Sequence, residues 1–295
     1  MATPTIPSAR ADGARYFDAQ MRLDAAVNGI FKDWLNQRDD VRCTPATRVA
    51  QLRGIDLAIY PVGRKATKAR FTSGIDMKGD NYRSGNIALE LVSQCRPNGT
   101  RPAPAPGWTA KDMPWVGYYF IQTGESLVLD MAQVWPWVKA RIEEIIHGAP
   151  SQRAWPFWIA ATPNKTYQSF NLMASLEQLL AACPGVYYLN MAKEASTETL
   201  TRHSSAYWES GALAAPMLSN VSPERVMRAD DFVSRVTARP DYHRKEWLTP
   251  HEVERLIRQC EQHARYSRQP GVAEKGKVLT ASRPRLMLPE DKLAA

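Results

Sequence analysis

Between Asp12 and Val92 the spacing of apolar residues switches from a helical period to a period of two. That switch restricts the chain to folds that mix helix and sheet. Phe17, Met21, Asp24, Asn28, Phe31 and Leu35 follow one helical stripe within 12–37. Asp24 and Asn28 therefore interrupt an otherwise apolar face. Leu52 to Val62 carries "GIDLAIYPVG", a strand closed by Pro61 and Gly63. Phe71 to Lys78 and Asn86 to Val92 read as two further strands around a polar turn.

Downstream, "RPNGTRPAPAPGWTA" (96–110) is a Pro/Gly-rich loop. "WVGYYFIQ" and "SLVLDM" read as two strands joined at Thr123-Gly124, and "AQVWPWVKARIEEIIHG" as a helix stopped by Gly148. "AWPFWIAAT" reads as a strand, "PNKTYQS" (163–169) as a loop, "SLEQLLAAC" as a helix and "GVYYLNM" as a last strand. Beyond Thr201, Ser222-Pro223 opens one helix, and Thr249 with Glu252 forms a capping box for another. The expected fold is α/β or α+β: a mixed central sheet flanked by helices, with a core over 1–200 and a helical, basic appendage over 201–295 that ends in a mobile tail.

At 295 residues, 44% hydrophobic and 23% charged, the chain has room for a substantial core. No apolar run approaches the roughly 20 residues that span a bilayer, and the N-terminus carries no export signal. Cys43, Cys95, Cys183 and Cys260 form no CxxC pair, and the five histidines show no metal-ligand spacing. A reduced, cytoplasmic setting without membrane contact is the expectation. The net charge of +8 points to a polyanionic partner. Basic residues concentrate at Arg42, Arg48, Arg53, Arg64, Lys65, Lys68 and Arg70, and again over 265–285. Phosphate contacts account for such clusters, as do solvated basic surfaces. Lys165 or Ser169 in the 163–169 loop is one more candidate phosphate contact.

The strand "GIDMK" places Asp76 and Lys78 on one face and Ile75 and Met77 on the other. A surface ion pair satisfies this pattern. So does half of a metal-dependent phosphodiester-cleaving site, in which carboxylates hold Mg²⁺ and a cation offsets charge on the phosphorane. Asp56, on the preceding strand, supplies a second carboxylate. The Met77 carbonyl is a natural further ligand.

Taken in order, the acid-bearing helix, "GID", "GIDMK" and "SGNIALELVS" resemble the core of the PD-(D/E)XK nuclease superfamily, the restriction-endonuclease-like fold. The likeness covers roughly 12–190 and is weaker through "VGYYFIQ…SLVLDMAQVWPWV", a strand pair and helix similar to those of phage and plasmid members. Ile55 stands where the motif has proline, and the second acid is Asp instead of the commoner Glu.

The resemblance implies a magnesium- or manganese-dependent DNA nuclease. Asp56 and Asp76 match the motif acids, Lys78 the motif lysine, Asp24 a helix-borne acid and Glu90 an acid found in some members. Asp56, Asp76, Lys78 and Glu90 are the expected catalytic set, with Asp24 joining Asp56 and Asp76 at the metal. A homodimer is left open. The alternative is a non-catalytic nucleic-acid-binding or assembly protein that retains the fold.

Overall fold

The computed structural model describes residues 9–63, 73–81, 83–95, 104–148, 157–163, 168–238 and 246–266. The expected basic contacts Arg64, Lys65, Lys68, Arg70 and Lys165, and the tail after Tyr266, lie outside them. The chain opens with α1 (Ala9–Asn36), then β1 (Val41–Pro45), the short helix α2 (Arg48–Gln51), β2 (Leu57–Pro61) and β3 (Gly74–Asp80). β4 (Asn86–Cys95), β5 (Ala105–Pro106) and a 3-10 turn (Trp108–Ala110) follow. Next come β6 (Trp115–Phe120), β7 (Glu125–Asp130) and α3 (Met131–His147). β8 (Trp158–Pro163), β9 (Gln168–Ser175), α4 (Leu176–Ala182) and β10 (Val186–Asn190) precede α5 (Met191–Glu194), α6 (Thr197–Ser204), α7 (Ala229–Ala238) and α8 (Pro250–Tyr266).

The strands form two sheets. One has six strands in the order β1-β2-β3-β6-β7-β10, mixed because β3 and β6 run parallel while its other neighbours are antiparallel. The other has four antiparallel strands in the order β5-β4-β9-β8. The "GNIALE" strand is thus no sheet neighbour of "GIDMK", contrary to expectation. Besides β2, β3 pairs with β6, and the intervening chain supplies β4 and β5 of the second sheet. Such a parallel pairing requires a long crossover, which adjacent runs in sequence do not reveal.

Period-two alternation divides the six-stranded sheet cleanly. Ile75, Met77, Trp115 and Tyr119 join Val27, Ile30, Phe31 and Trp34 of α1 in one apolar cluster. Val116, Tyr118 and Phe120 face the other way, into a second cluster with Ile87 and Leu89 of β4 and Val138 and Ile142 of α3. Gly79 admits α1 closely, since a Cβ there would meet Leu23 Cγ at 2.7 Å. The 201–266 stretch, read from sequence as an appendage, contributes Trp208, Phe232 and Val236 to the first cluster and Leu248, Val253, Leu256 and Cys260 to the second.

Three other expectations change. β1 was not legible in its charged setting. The 163–169 loop is interrupted by β9, whose Ser169 is buried and so is no surface phosphate contact. Ser222-Pro223 begins a 3-10 turn, with helix α7 starting only at Ala229. The capping box holds: the Thr249 N–H donates to Glu252 Oε2 at 2.7 Å. Trp135 is buried in the core, and Trp137 packs edge-on against Phe157 beneath Arg141. Among the described residues no helix is long and apolar enough to cross a membrane.

Candidate active site

On the face of the six-stranded sheet that meets the second cluster, apolar packing stops at β6. On β3 the equivalent positions are Gly74, Asp76, Lys78 and Asp80. β2 and β3 pair antiparallel with Leu57 opposite Ile75 and Ala58 opposite Gly74. The ladder ends there, and the N–H of Asp56, the residue before β2, donates to the Ile75 carbonyl at 3.1 Å. Ile75 and Met77 point into the α1 cluster, so Asp76 and Lys78 point away from it. The Asp56 carboxyl lies within hydrogen-bonding reach of Asp76. The sequence-expected trio is brought together.

Lys78 Nζ donates to Asp76 Oδ1 at 2.8 Å. The Lys78 side chain keeps 30% of its surface accessible, against 3% for Asp76, so Lys78 is the more exposed member of the pair. The other oxygen, Asp76 Oδ2, is buried with no hydrogen-bond partner among the described residues. Burial raises the Asp76 pKa to about 7 despite Lys78, and the Asp56 carboxylate, within hydrogen-bonding reach, adds to the rise. Asp56 Oδ2 itself accepts from the Met77 N–H at 3.0 Å. Burial alone would lower the Lys78 pKa, but Asp76, Asp56 and Asp24 together outweigh it and the ammonium is held protonated.

Asp24 reaches the same cluster from α1. Its Oδ1 accepts from Gln20 Nε2 at 3.0 Å and from the Gly79 N–H at 3.3 Å. Burial raises its pKa against the opposing pull of Lys78. The polar break in the helical stripe is thus the point where α1 grips the end of β3. Glu90 approaches from β4. Its Oε2 accepts from the Trp108 N–H at 3.2 Å, and burial raises its pKa against the pull of that N–H, Lys111 and Lys78.

Lys111 is a neighbour that the sequence reading passed over. Its stem lies on Gly54, where a Cβ would come within 3.0 Å of Lys111 Cδ. Gly54 has φ +89°, a conformation that favours glycine. No local signal marks Lys111, because only the return of the chain after β4 carries it to the site. On the neighbouring strand, the Tyr118 hydroxyl donates to Asp80 Oδ2 at 3.0 Å, extending the polar row of Asp76, Lys78 and Asp80.

The donor set suits a small hard cation. Two adjacent carboxylates, one with an unpartnered buried oxygen, suit Mg²⁺, which binds through one or two carboxylates and completes its shell with water and substrate phosphate. Among the described residues no three His, Cys, Asp or Glu side chains come close enough together to hold a metal. A cation here would be held by Asp56 and Asp76. Asp24 Oδ1 is bonded to Gln20 and Gly79.

Comparison of the chain with protein-family models, with curated proteins and with solved structures finds no match.

Proposed function

We propose that the chain is a metal-dependent nuclease that hydrolyses phosphodiester bonds in DNA. The observation that carries this reading is the Asp76 carboxyl. One oxygen is held by Lys78, while the other is buried without a donor in the company of a second acid, Asp56. Such an arrangement costs free energy unless a proton or a cation lies between the acids. A divalent cation there supplies Lewis acidity and a water of lowered pKa.

The side chains have distinct roles. Asp56 and Asp76 hold the cation. Lys78 stays protonated in the field of its acidic neighbours, orients the attacking water and offsets negative charge on the phosphorane. Glu90, within the field of Lys78 and Lys111, supports the water from the β4 side. Asp24 fixes the end of β3 through Gly79, so its role is to position Lys78. The net charge of +8 draws the polyanion.

A second reading, a nucleic-acid-binding protein without turnover, is favoured by the lack of a third acid at the metal position among the described residues. Incubating purified protein with linear, nicked, branched and single-stranded DNA and RNA, with and without Mg²⁺ or Mn²⁺, separates the two. Cleavage that requires the metal and disappears in Asp76→Ala supports the nuclease. No cleavage of any substrate under any condition leaves the binding protein.

A further inference from the structure

The α2 turn carries two of the most exposed large apolar side chains among the described residues, Val49 at 62% and Leu52 at 72% accessible. Single exposed apolar residues are ordinary on protein surfaces. These two are three apart in sequence, at the start and just past the end of one short helix, which is the spacing that brings side chains to one face. Arg48 and Arg53 flank them, both exposed, and Arg42 is exposed on β1. Within 41–56 the only acid is Asp56, and its carboxylate faces the site. The turn therefore presents an aliphatic tip in a cationic frame.

The tip is firmly mounted. Thr47 caps α2, with its Oγ1 accepting from the Ala50 N–H at 3.4 Å. The Ala50 carbonyl accepts from the N–H groups of Arg53 and Ile55 at 2.9 and 3.1 Å, and the Ala46 N–H donates to the Asp56 carbonyl at 2.8 Å. Ala46, Ala50 and Ile55 form a small core of their own beneath the turn. Three residues lie between Leu52 and Asp56. The tip thus stands at most about 14 Å from the site along the chain, roughly four base-pair steps of a duplex.

Resting on the nuclease reading, we propose that α2 is a wedge that enters the minor groove of duplex DNA beside the cleavage site. Leu52 and Val49 press between base pairs while Arg48 and Arg53 hold the flanking phosphates. Charge decides for DNA over a protein partner, because a turn flanked by Arg48 and Arg53, in a stretch with no acid between residues 41 and 55, is complementary to a polyanion. Aliphatic wedges act by partly unstacking one step, and the cost is least at steps that already kink easily, at mismatches and at nicks. Substrate choice at this site therefore follows the deformability of the duplex more than its base sequence.

The test needs no cleavage, so it stands apart from the nuclease assay. A duplex with a fluorescent base analogue in its stack is titrated with the full chain without divalent metal, and then with the Val49→Ser, Leu52→Ser double variant. Both sites are exposed, so the variant folds; its melting temperature verifies this. The unmodified protein raises the fluorescence at saturation and binds a mismatched or nicked duplex more tightly than a perfect one. The variant loses the fluorescence rise and the preference, and affinity falls roughly ten- to hundred-fold, the loss of burying Leu- and Val-sized groups. Arg53→Ala weakens binding to all duplexes alike and lowers the salt dependence by about one ion. A saturated complex without a fluorescence change overturns the wedge, as does a double variant with unaltered binding. So does a double variant that changes only the sedimentation of the free protein, which would make the patch a contact between copies. Unstacking without metal-dependent cleavage leaves the wedge in place and removes the nuclease.

Discussion

Asp56, the residue before β2, brings its carboxyl within hydrogen-bonding reach of Asp76 on β3, whose side chain faces away from the α1 cluster. Two acids so placed repel when both are ionised, and Asp76 has little water to screen it, with 2% of its surface exposed. The Asp76 pKa of about 7 follows from that burial first and from the neighbouring charge second.

Stability without metal therefore depends on pH in a defined direction. The Asp76 pKa is raised from 3.8 in the unfolded chain to about 7 in the folded one. The native state binds the extra proton between those values, so this contribution is fully present below about pH 4 and is lost as pH rises through 7. Asp76→Asn removes it. The melting temperature of the variant relative to the unmodified protein should climb between pH 5 and pH 8 without metal. Added Mg²⁺ should stabilise the unmodified protein more at pH 8 than at pH 6, and the variant at neither.

Replacing Lys78 with Ala separates cation binding from chemistry. Both carboxylates remain, so Mg²⁺ binding by calorimetry and DNA binding by titration should persist. The cleavage rate should fall by about two to three orders of magnitude, as when a preorganised charge is removed from a transition state. An equal loss of binding and rate would instead assign Lys78 to holding the substrate.

Lys111 should act on the substrate from the Glu90 side. Lys111→Ala removes one cation that lowers the Glu90 pKa, so the acidic limb of a pH–rate profile should move to higher pH. Gly54→Ala should produce a weaker version of the same shift, because a Cβ there displaces the Lys111 stem. An unshifted profile in Lys111→Ala would detach it from the site.

Glu125 is a structural counterpart with a different outcome. It is 1% exposed and accepts from the Met217 and Leu218 N–H groups at 2.7 and 2.9 Å and from the Tyr188 hydroxyl at 3.2 Å. Glu125→Ala leaves these donors unmatched and should cost about 3 kcal/mol or more, seen as a lowered denaturation midpoint. Metal affinity measured on the folded fraction should not change.

Residues whose environment is local were legible from the chain itself. The α1 stripe with its break at Asp24, the alternation of Asp76 and Lys78 against Ile75 and Met77, and the Thr249–Glu252 cap are all written in spacings of two to four residues. Asp56 joined them because its strand pairs antiparallel with the next one in sequence. The separation of β4 into its own sheet was not legible, since nothing within "GNIALE" specifies its partner, β9, more than eighty residues later in sequence. Ser169 was misread because its strand has few apolar residues and follows a polar stretch. Lys111 carries no pattern at all. Its place depends on Gly54, Glu90 and the path of the 3-10 turn, which only tertiary contact brings together.

The parallel union of β3 with β6 has a consequence for the order in which the molecule assembles. Pairing Asp76 with Val116 closes a loop of some forty residues, a slow step compared with the antiparallel β2–β3 pairing. The acid pair can therefore form while β6 is still unattached, on a scaffold of α1 and three strands. Glu90 and Lys111, carried within the closing loop, arrive afterwards. During synthesis Asp56 and Asp76 leave the ribosome before Glu90 and Lys111, so the chain order lets the two acids meet before the residues that enclose them are in place.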